Sequence, residues 1–472
     1  VRERGGPEVA QTLIQAGADI QSRDKNGWSA LMMAAMRGSR EIVEMLLDHK
    51  AALPSEAAHV QSLMAFATER GLVRLFRAIT AQGGLASTSN GKGGTYLHDA
   101  AAGGAVEIVT DLVAKGLDVN SKNRYGWAPA HYAARNGRVE VIRWLHQKGA
   151  DLNARTIAGQ SALNIANENG FTGITKALLE AKVDPRPMQF PLLRGNYLGQ
   201  TPPGKTPQLF APGIVSSIWG LHSTAVFSPD GREVFWSPMV MAPGAHYSVS
   251  VLMHMKQVEG RWTAPALAPF ATPLGDDVPC FAPDGKRLFF LSRRPLPGQR
   301  QGNENIWYVE RTAAGWSEAR PFDSIVNAQE KHWQFSLDRV GNVYFASSAP
   351  GGKGQNDIYV CRFEQGKYQL AENLGPRINT DKVDMTPFIA PDGSYLLFSR
   401  DQALFVSFHQ KDGCWTEAID LGPTLNMPGG ALDPMVTPDG KYLFFMSSRN
   451  GINGAYWVDT SILDTLRPKH GE

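Results

Sequence analysis

The sequence predicts a multidomain α + β protein, in which an all-α domain of stacked helix pairs precedes an all-β domain of radially arranged sheets. Two observations predict this fold class. In the first half, glycine recurs every 33 residues, at Gly38, Gly71, Gly104, Gly137 and Gly170. In the second half, a Pro-Asp-Gly turn recurs, each time followed by a run of aromatic and branched side chains. Self-similarity of this kind is typical of repeat architectures.

The bulk composition is that of an ordinary globular protein. The 472 residues exceed the size at which one hydrophobic core stops growing, so several domains are expected. The net charge of +2 gives no electrostatic reason to expect a nucleic acid partner. No apolar stretch reaches the ~18 residues that span a bilayer. The three cysteines lie too far apart for a typical structural zinc site.

Each 33-residue unit of the first half has the pattern of a short helix, a turn, a longer helix and a β-turn. Residues 26–35 and 125–134 correspond, since both contain Gly-Trp followed by a polar-to-apolar run that ends in an alanine pair. The alanines allow two helices to approach closely, and the recurring glycines suit left-handed turns. One unit cannot bury its apolar face alone, so neighbouring units must stack.

This repeat resembles the ankyrin repeat. The closest versions of its Thr-Pro-Leu-His-x-Ala signature are Thr95-Tyr96-Leu97-His98-Asp99-Ala100 and Ala128-Pro129-Ala130-His131-Tyr132-Ala133. The resemblance covers residues 1–184, about 5.5 repeats, and residues 54–83 keep the spacing but lose the signature. Gly5 lies one period before Gly38, so we expect an N-terminally truncated array with further sequence upstream. The resemblance implies that His98 and His131 brace neighbouring repeats by hydrogen bonds.

Residues 185–212 are predicted to be a Pro/Gly-rich linker. Pro185 and Pro187 end the last helix, and no helical period follows them. The linker carries too many apolar side chains to be free, so we expect it to pack on the following domain. These side chains are Phe190, Leu192, Leu193, Tyr197 and Phe210.

The second half contains five similar turns, and the aspartates of successive turns are 54, 54, 54 and 47 residues apart. They are Asp230, Asp284, Asp338, Asp392 and Asp439. Proline presets the first turn torsion, aspartate bonds its own backbone and glycine adopts positive φ, which together predict a hairpin. Several strands per unit at this spacing predict the blades of a propeller.

The recurring Ser-Pro-Asp-Gly hairpin resembles the TolB-type propeller repeat, a WD40-like blade, over residues 213–472. Five blades are visible. A sixth would need residues 196–218, pairing with residues 457–466 at the C-terminal end to close the ring, and the pattern favours five blades over six. Propellers of this type are commonly exported by bacteria, so the resemblance implies a periplasmic or secreted location.

Polar residues recur before each turn, where the inner strands should reach one mouth of the propeller channel. They are His222, Asp276, Glu330 and Asp384, with Ala431 at the fifth position and Asp277, His332 and Asp433 nearby. Asp276, Glu330 and Asp384 could ligate a divalent cation at the axis, namely Ca²⁺, Mg²⁺ or Mn²⁺. Alternatively, no cofactor is bound, and each carboxylate caps a loop amide in its own blade.

A second recurring set follows the inner hairpins and consists of Arg293, Arg294, Arg400 and Arg449. These arginines could bind an anionic or sugar ligand, but solvated loop charges are the simpler interpretation. The sequence contains no Gly-x-Ser-x-Gly elbow and no phosphate-binding loop, so no catalytic residue is assigned.

The ankyrin face is predicted to lie along the hairpin tips, and aromatic side chains beside arginine are typical of binding hot spots. The candidate residues are Arg23, Lys25, Trp28, Arg124, Tyr125, Trp127 and Ile157. The alternative is that Trp28 and Trp127 pack between adjacent loops. The sequence favours a non-enzymatic scaffold that binds a protein, with an oligosaccharide or peptide as another ligand class. The alternative function is a carbohydrate lyase or glycoside hydrolase with a metal or acidic site in the channel.

Overall fold

The structure is a computed structural model that describes residues 6–83, 89, 93–186, 190–217, 220–241, 248–272, 275–296, 304–328, 332–349, 352–449 and 453–467. The chain divides into two compact units, Val1–Pro191 and Leu192–Glu472. The first is helical and the second consists of antiparallel sheets, which confirms the predicted fold class.

The first unit is built from helix pairs stacked in two rows. The helices are α1 (Pro7–Gln15), α2 (Ala30–Arg37), α3 (Arg40–Asp48), α4 (Ala57–Glu69), α5 (Val73–Ala81), α6 (Tyr96–Gly103), α7 (Val106–Ala114), α8 (Pro129–Arg135), α9 (Val139–Gln147), α10 (Ala162–Glu168) and α11 (Thr172–Glu180). The even-numbered helices pack on one another in one row, and the odd-numbered helices form the other. This is the stacking that the 33-residue period predicts.

Small residues set the distance between neighbouring repeats. A Cβ atom added at Gly103 would lie 2.4 Å from the carbonyl oxygen of Thr68 in the preceding repeat. The alanine pairs of α2, α6 and α8 are likewise almost fully buried. Gly38 and Gly104 end their helices with φ of 70° and 87°, a left-handed conformation that glycine adopts without strain.

Two buried histidines connect successive repeats. His98 Nδ1 accepts a hydrogen bond from the Thr95 amide, and His98 Nε2 donates to the carbonyl oxygen of Trp127, both at 3.0 Å. His131 makes the equivalent bonds to the Ala128 amide and the Ala154 carbonyl, also at 3.0 Å. The predicted bracing role of both histidines is confirmed.

Acid should destabilise the ankyrin unit through His131. Burial lowers the pKa of His131 to about 4, whereas the pKa in the unfolded chain is about 6.5. Between these values the unfolded chain binds more protons, so the free energy of unfolding should fall, by at most about 3 kcal/mol, as the pH drops through this window. Urea unfolding followed by the helical circular dichroism signal at pH 7 and pH 4 measures the change.

The matched control for this pH dependence is His146, an exposed histidine on α9. A His131→Gln variant should be less stable than the wild type at neutral pH but should lose part of the pH dependence. A His146→Gln variant should keep it. An unchanged slope in the His131→Gln variant would show that other groups control the acid sensitivity.

The second unit opens with a two-residue strand, β1 (Gln208–Leu209), and continues as five antiparallel sheets. Blade 1 contains β2 (Leu221–Phe227), β3 (Glu233–Met241), β4 (Ser248–Ser250), β5 (Met253–Val258), β6 (Arg261–Trp262) and β7 (Ala266–Leu267). Blade 2 contains β8 (Asp276–Phe281), β9 (Arg287–Ser292), β10 (Asn305–Thr312), β11 (Gly315–Trp316) and β12 (Arg320–Pro321). After the short helix α12 (Ser324–Asn327), blade 3 contains β13 (His332–Leu337), β14 (Val343–Ser347), β15 (Asp357–Cys361) and β18 (Glu372–Asn373), with a side ribbon of β16 (Phe363–Glu364) and β17 (Lys367–Tyr368).

Blade 4 contains β19 (Asp384–Ile389), β20 (Tyr395–Arg400), β21 (Ala403–Phe408) and β22 (Ile419–Asp420), and blade 5 contains β23 (Leu432–Val436), β24 (Tyr442–Ser447) and β25 (Gly454–Asp459). The inner strands β2, β8, β13, β19 and β23 each contact the next, and β23 contacts β2. The five blades therefore form a closed ring around an axis.

The ring closes through a strand from the other end of the unit. β1 pairs antiparallel with β25, with Leu209 opposite Tyr456, and so completes blade 5 as its outer strand. The arrangement has five blades, and the segment considered for a sixth supplies this closing strand instead. Tyr197 and Phe210 of the same segment pack against Trp457 and the aromatic side chains around it.

Candidate functional site

Each inner strand carries a β-bulge at the same place. The register shifts between Asp277 and Cys280 in β8, between Met385 and Phe388 in β19, and between Leu432 and Met435 in β23, with equivalent shifts in β2 and β13. A bulge interrupts the alternation of side chains and re-aims the extra residue. These bulges therefore determine which side chains face the axis.

Three of the bulged residues have left-handed backbone conformations. Val278, Thr386 and Asp433 have φ of 49°, 52° and 51°, and none of them is glycine. Such a φ is a genuine outlier for a β-branched residue such as Val278 or Thr386. Backbone strain of this kind persists only where the surrounding structure holds it, and it clusters at functional sites.

Two of the predicted mouth carboxylates are engaged within their own blades. Asp276 lies 2.9 Å from Arg294 and accepts a hydrogen bond from the Thr272 amide at 2.6 Å. Asp384 lies 2.6 Å from Arg400 and accepts from the Thr380 amide at 2.8 Å. Both aspartates thus match the loop-capping alternative in geometry, with an arginine added. A cation at these oxygens would have to compete with a guanidinium.

The arginines are structural rather than solvated. The guanidinium groups of Arg294 and Arg400 lie over aromatic rings of their own blades. Arg449 is buried, and it donates to Ser447 Oγ and to the carbonyl oxygens of Thr424 and Leu425. The interpretation of solvated loop charges is therefore wrong for these three arginines. Arg293 alone is well exposed, and it pairs with Glu304 at 2.9 Å.

Two predicted channel residues cannot be placed by their side chains. Glu330 lies outside the described residues, and for His332 only the backbone of β13 is described. Within the described ranges, no three His, Cys, Asp or Glu side chains are grouped closely enough to hold a metal ion.

We select one polar side chain from the inner strand of each blade and call this set the axial ring. It consists of His222, Asp277, Gln334, Thr386 and Asp433, in the order of the blades. His222 Nδ1 lies 3.0 Å from Asp277 Oδ2, which also accepts a hydrogen bond from Ser250 Oγ at 2.5 Å. Thr386 Oγ1 accepts a hydrogen bond from the Asp433 amide at 3.4 Å.

Gln334 reaches across the axis to a non-adjacent blade. Its Nε2 donates to the carbonyl oxygen of Pro434 at 3.2 Å and lies 3.0 Å from Met435 Sδ. Beyond this bridge, on the side of the Pro-Asp-Gly turns, lies a mainly apolar cavity of about 150 Å³ lined by Val226, Phe388 and Met435 among others.

The charges of the axial ring are coupled. Burial raises the pKa of the Asp433 carboxyl to about 7, with Asp277 adding to the rise and His222 opposing it. Burial alone would lower the pKa of His222, but Asp277 and Asp433 outweigh it and raise the pKa to about 9. At neutral pH, His222 and Asp277 therefore form an ion pair, while Asp433 is close to its midpoint of titration.

Sequence reasoning identified His222, Asp277 and Asp433 but missed Gln334, Thr386 and Ser250. Thr386 and Asp433 lie six residues before the aspartate of their turns, so a comparison at that offset could have found Thr386. Gln334 lies at a different offset, and Ser250 comes from β4 rather than from an inner strand. No repeat pattern could have identified these two.

The hairpin tips of the ankyrin unit contain both exposed and buried candidates. Arg23, Lys25 and Arg124 are exposed, and Ile157 is 42% exposed. Trp28 is half-buried against Phe66, with ring centroids 5.9 Å apart.

Tyr125 and Trp127 are buried, which corrects their place in the predicted binding face. Trp127 is only 6% exposed, and its ring packs against His131 and Tyr132. A Trp127→Ala variant would therefore probe packing rather than partner binding.

Comparison with known families supports the repeat type that the sequence predicts for the first unit. A model described as ankyrin repeats (3 copies) matches residues 62–156 and 97–189, and one described as ankyrin repeats (many copies) matches residues 2–47. The first unit therefore contains ankyrin repeats. A search of curated proteins found no match. Within the described part of the chain, no helix has the length and apolarity needed to cross a membrane.

Proposed function

We propose that this protein is a non-enzymatic scaffold whose ankyrin hairpin tips bind a protein partner. One observation carries the proposal. Lys25, Arg124 and Ile157 occupy the same position of their hairpins, separated by multiples of 33 residues, and all three are exposed. Exposed arginine beside exposed apolar surface is typical of protein-binding hot spots.

The tips that carry Arg124 and Ile157 belong to adjacent repeats. The Ile157 amide donates a hydrogen bond to the carbonyl oxygen of Tyr125 at 3.1 Å, which joins two adjacent tips. Tyr125 and Trp127 of the first of these tips are buried, and Trp127 packs against His131 and Tyr132. A partner would therefore meet a preorganised surface, which lowers the entropic cost of binding.

Changing two tip residues together should weaken partner binding without affecting the fold. An Arg124→Glu/Ile157→Asp variant reverses one charge and removes one exposed apolar contact. We expect at least about a tenfold loss of affinity for the partner. Affinity capture with the full chain, quantified by mass spectrometry, identifies proteins enriched by the wild type, and titration with each purified candidate measures the change.

The matched control is Arg143→Glu on α9, since Arg143 is exposed and lies in the other helix row. This variant should capture the same proteins as the wild type, and all three chains should have the same melting temperature. Equal capture by the tip variant, with an unchanged melting temperature, would rule out the tips as the binding surface.

For the second unit, we infer a TolB-type propeller from the five recurrent turns. Ser228 and Asp230 make the hydrogen bonds that shape the first turn, and Thr437 and Asp439 make the equivalent ones in the fifth. This inference adds a second binding surface to the proposed scaffold. The alternative of a carbohydrate-active enzyme with a divalent cation stays a prediction, and metal analysis of the purified protein tests it.

A further inference from the structure

The axial ring contains a buried hydrogen-bond acceptor that has no partner among the described residues. Oε1 of Gln334 is buried and has no hydrogen-bond partner among the described residues, although the side chain is only 4% exposed. Because Nε2 of the same amide is fixed on β23, Oε1 is held near the strand that carries Asp433. Leaving such a group unpaired costs about 1–3 kcal/mol, so an unpaired acceptor here points to a ligand that donates.

When Asp433 is ionised, the ring also has an excess of negative charge. His222 and Asp277 balance each other as an ion pair, which leaves the carboxylate of Asp433 without an opposite charge of its own. Asp433 is almost fully buried, and a buried carboxylate is stabilised by a paired cation. A ligand with one positive charge would neutralise the ring.

We propose that the axial ring binds a primary ammonium group, such as the side chain of a lysine, through Asp433, Gln334 Oε1 and Asp277. An ammonium group has three N–H donors, and these three side chains supply the acceptors. The ammonium group enters from the side of His222, which is the most exposed of the charged ring members. On the opposite side, Gln334 is held on β23.

The raised pKa of Asp433 is consistent with this occupant. Without a bound cation, burial favours the neutral carboxyl, and a cation in contact would favour the charged form. The proposal does not depend on the ankyrin face, since all five ring members belong to the second unit. The two proposals can therefore fail separately.

A pair of matched ligands tests the proposal directly. The full chain is titrated by isothermal calorimetry and ligand-observed NMR with Nα-acetyl-lysine methylamide, and separately with its Nε-acetylated form. We expect saturable binding of the amine and at least about tenfold weaker binding of the acetylated form, which has lost its charge and two donors. No binding of the amine, or equal binding of both ligands, would overturn the proposal.

Two variants of the axial ring test where the ligand binds. Asp433→Asn removes the charge, and Gln334→Met removes the unpaired acceptor at similar volume, so each should weaken amine binding about tenfold. Glu372→Gln, an exposed position on β18, should bind as the wild type does. Circular dichroism and melting curves confirm folding. If one of the two ring variants does not fold, the other tests the proposal alone. A folded ring variant that binds the amine with wild-type affinity would contradict the assignment of the ammonium site.

Discussion

Replacing Asp384 with alanine should lower the free energy of unfolding of the propeller by about 3–5 kcal/mol. The side chain of Asp384 is 0% exposed, and that of Arg400 is 13% exposed. Removing the carboxylate leaves a buried guanidinium whose remaining hydrogen bond is to the carbonyl oxygen of Ile378. It also leaves the amide and hydroxyl of Thr380 without their acceptor. Urea unfolding, with hydrogen exchange at β19 and β20 to localise the effect, measures the loss.

A double variant separates the ion pair from the packing around it. Arg400→Met keeps apolar contact with Phe398 and Phe405 while removing the charge. The Asp384→Ala/Arg400→Met variant should therefore be more stable than the sum of the single changes predicts, because no unpaired charge remains. Additive losses would show that the pair acts through separate contacts.

The control is an exposed ion pair in the neighbouring blade. Arg362 and Glu372 lie 2.9 Å apart with both side chains largely in solvent. Glu372→Ala should change the stability by no more than about 1 kcal/mol. A similar small loss for Asp384→Ala would contradict a structural role and would make the carboxylate a candidate ligand again.

Blade 5 shows how such an arginine is accommodated without a carboxylate. Ala431 stands where Asp276 and Asp384 stand in their blades, yet Arg449 remains buried. The hydroxyl of Ser447 and two backbone carbonyl groups replace the missing acceptor. Arg400 has fewer such acceptors among its described contacts, which is why we expect the loss of Asp384 to be large.

The fold was largely predictable because its signals are periodic. A glycine every 33 residues requires the same left-handed turn in each repeat, and Pro-Asp-Gly encodes one local hairpin. Each signal depends on a few adjacent residues, so no knowledge of distant contacts was needed. His98 and His131 were predictable for the same reason, since their partners lie at fixed offsets in the repeat.

The candidate site was less predictable because it depends on bulges and strand register. Asp384 pairs directly with Arg400 across β19 and β20, a relation that the sequence shows only as two residues 16 positions apart. A bulge moves Thr386 and Asp433 towards the axis and breaks the alternation on which strand patterns depend. Gln334 is part of the site only because it meets a strand 100 residues away.

Phe210→Ala should destabilise the propeller by about 3–5 kcal/mol, through loss of the side chain that seals the ring. Phe210 is fully buried, and its ring lies 4.9 Å from that of Phe444 and 5.1 Å from that of Trp457. It also contacts Phe227 of blade 1, at 5.9 Å between centroids. One side chain therefore packs against the first and the last blade at once.

Replacing the Phe210 side chain with alanine leaves a cavity that cannot readily collapse. The surrounding aromatic rings are held by their own strands, and the Phe210 amide is tied to the carbonyl oxygen of Ala455 at 2.8 Å. Large-to-small changes are most costly where the neighbours cannot relax. The variant should melt about 10 °C lower, as measured by scanning calorimetry.

The control lies in the same segment. Leu192 is 74% exposed, so Leu192→Ala should change the stability by less than about 0.5 kcal/mol. Hydrogen exchange distinguishes a local from a global effect, since loss of closure should increase exchange in β25 before it does so in β20. Because β1 is joined to blade 5 by only two residue pairs, we expect the aromatic contacts rather than the backbone hydrogen bonds to maintain the closure. A small loss of stability in Phe210→Ala would show the reverse.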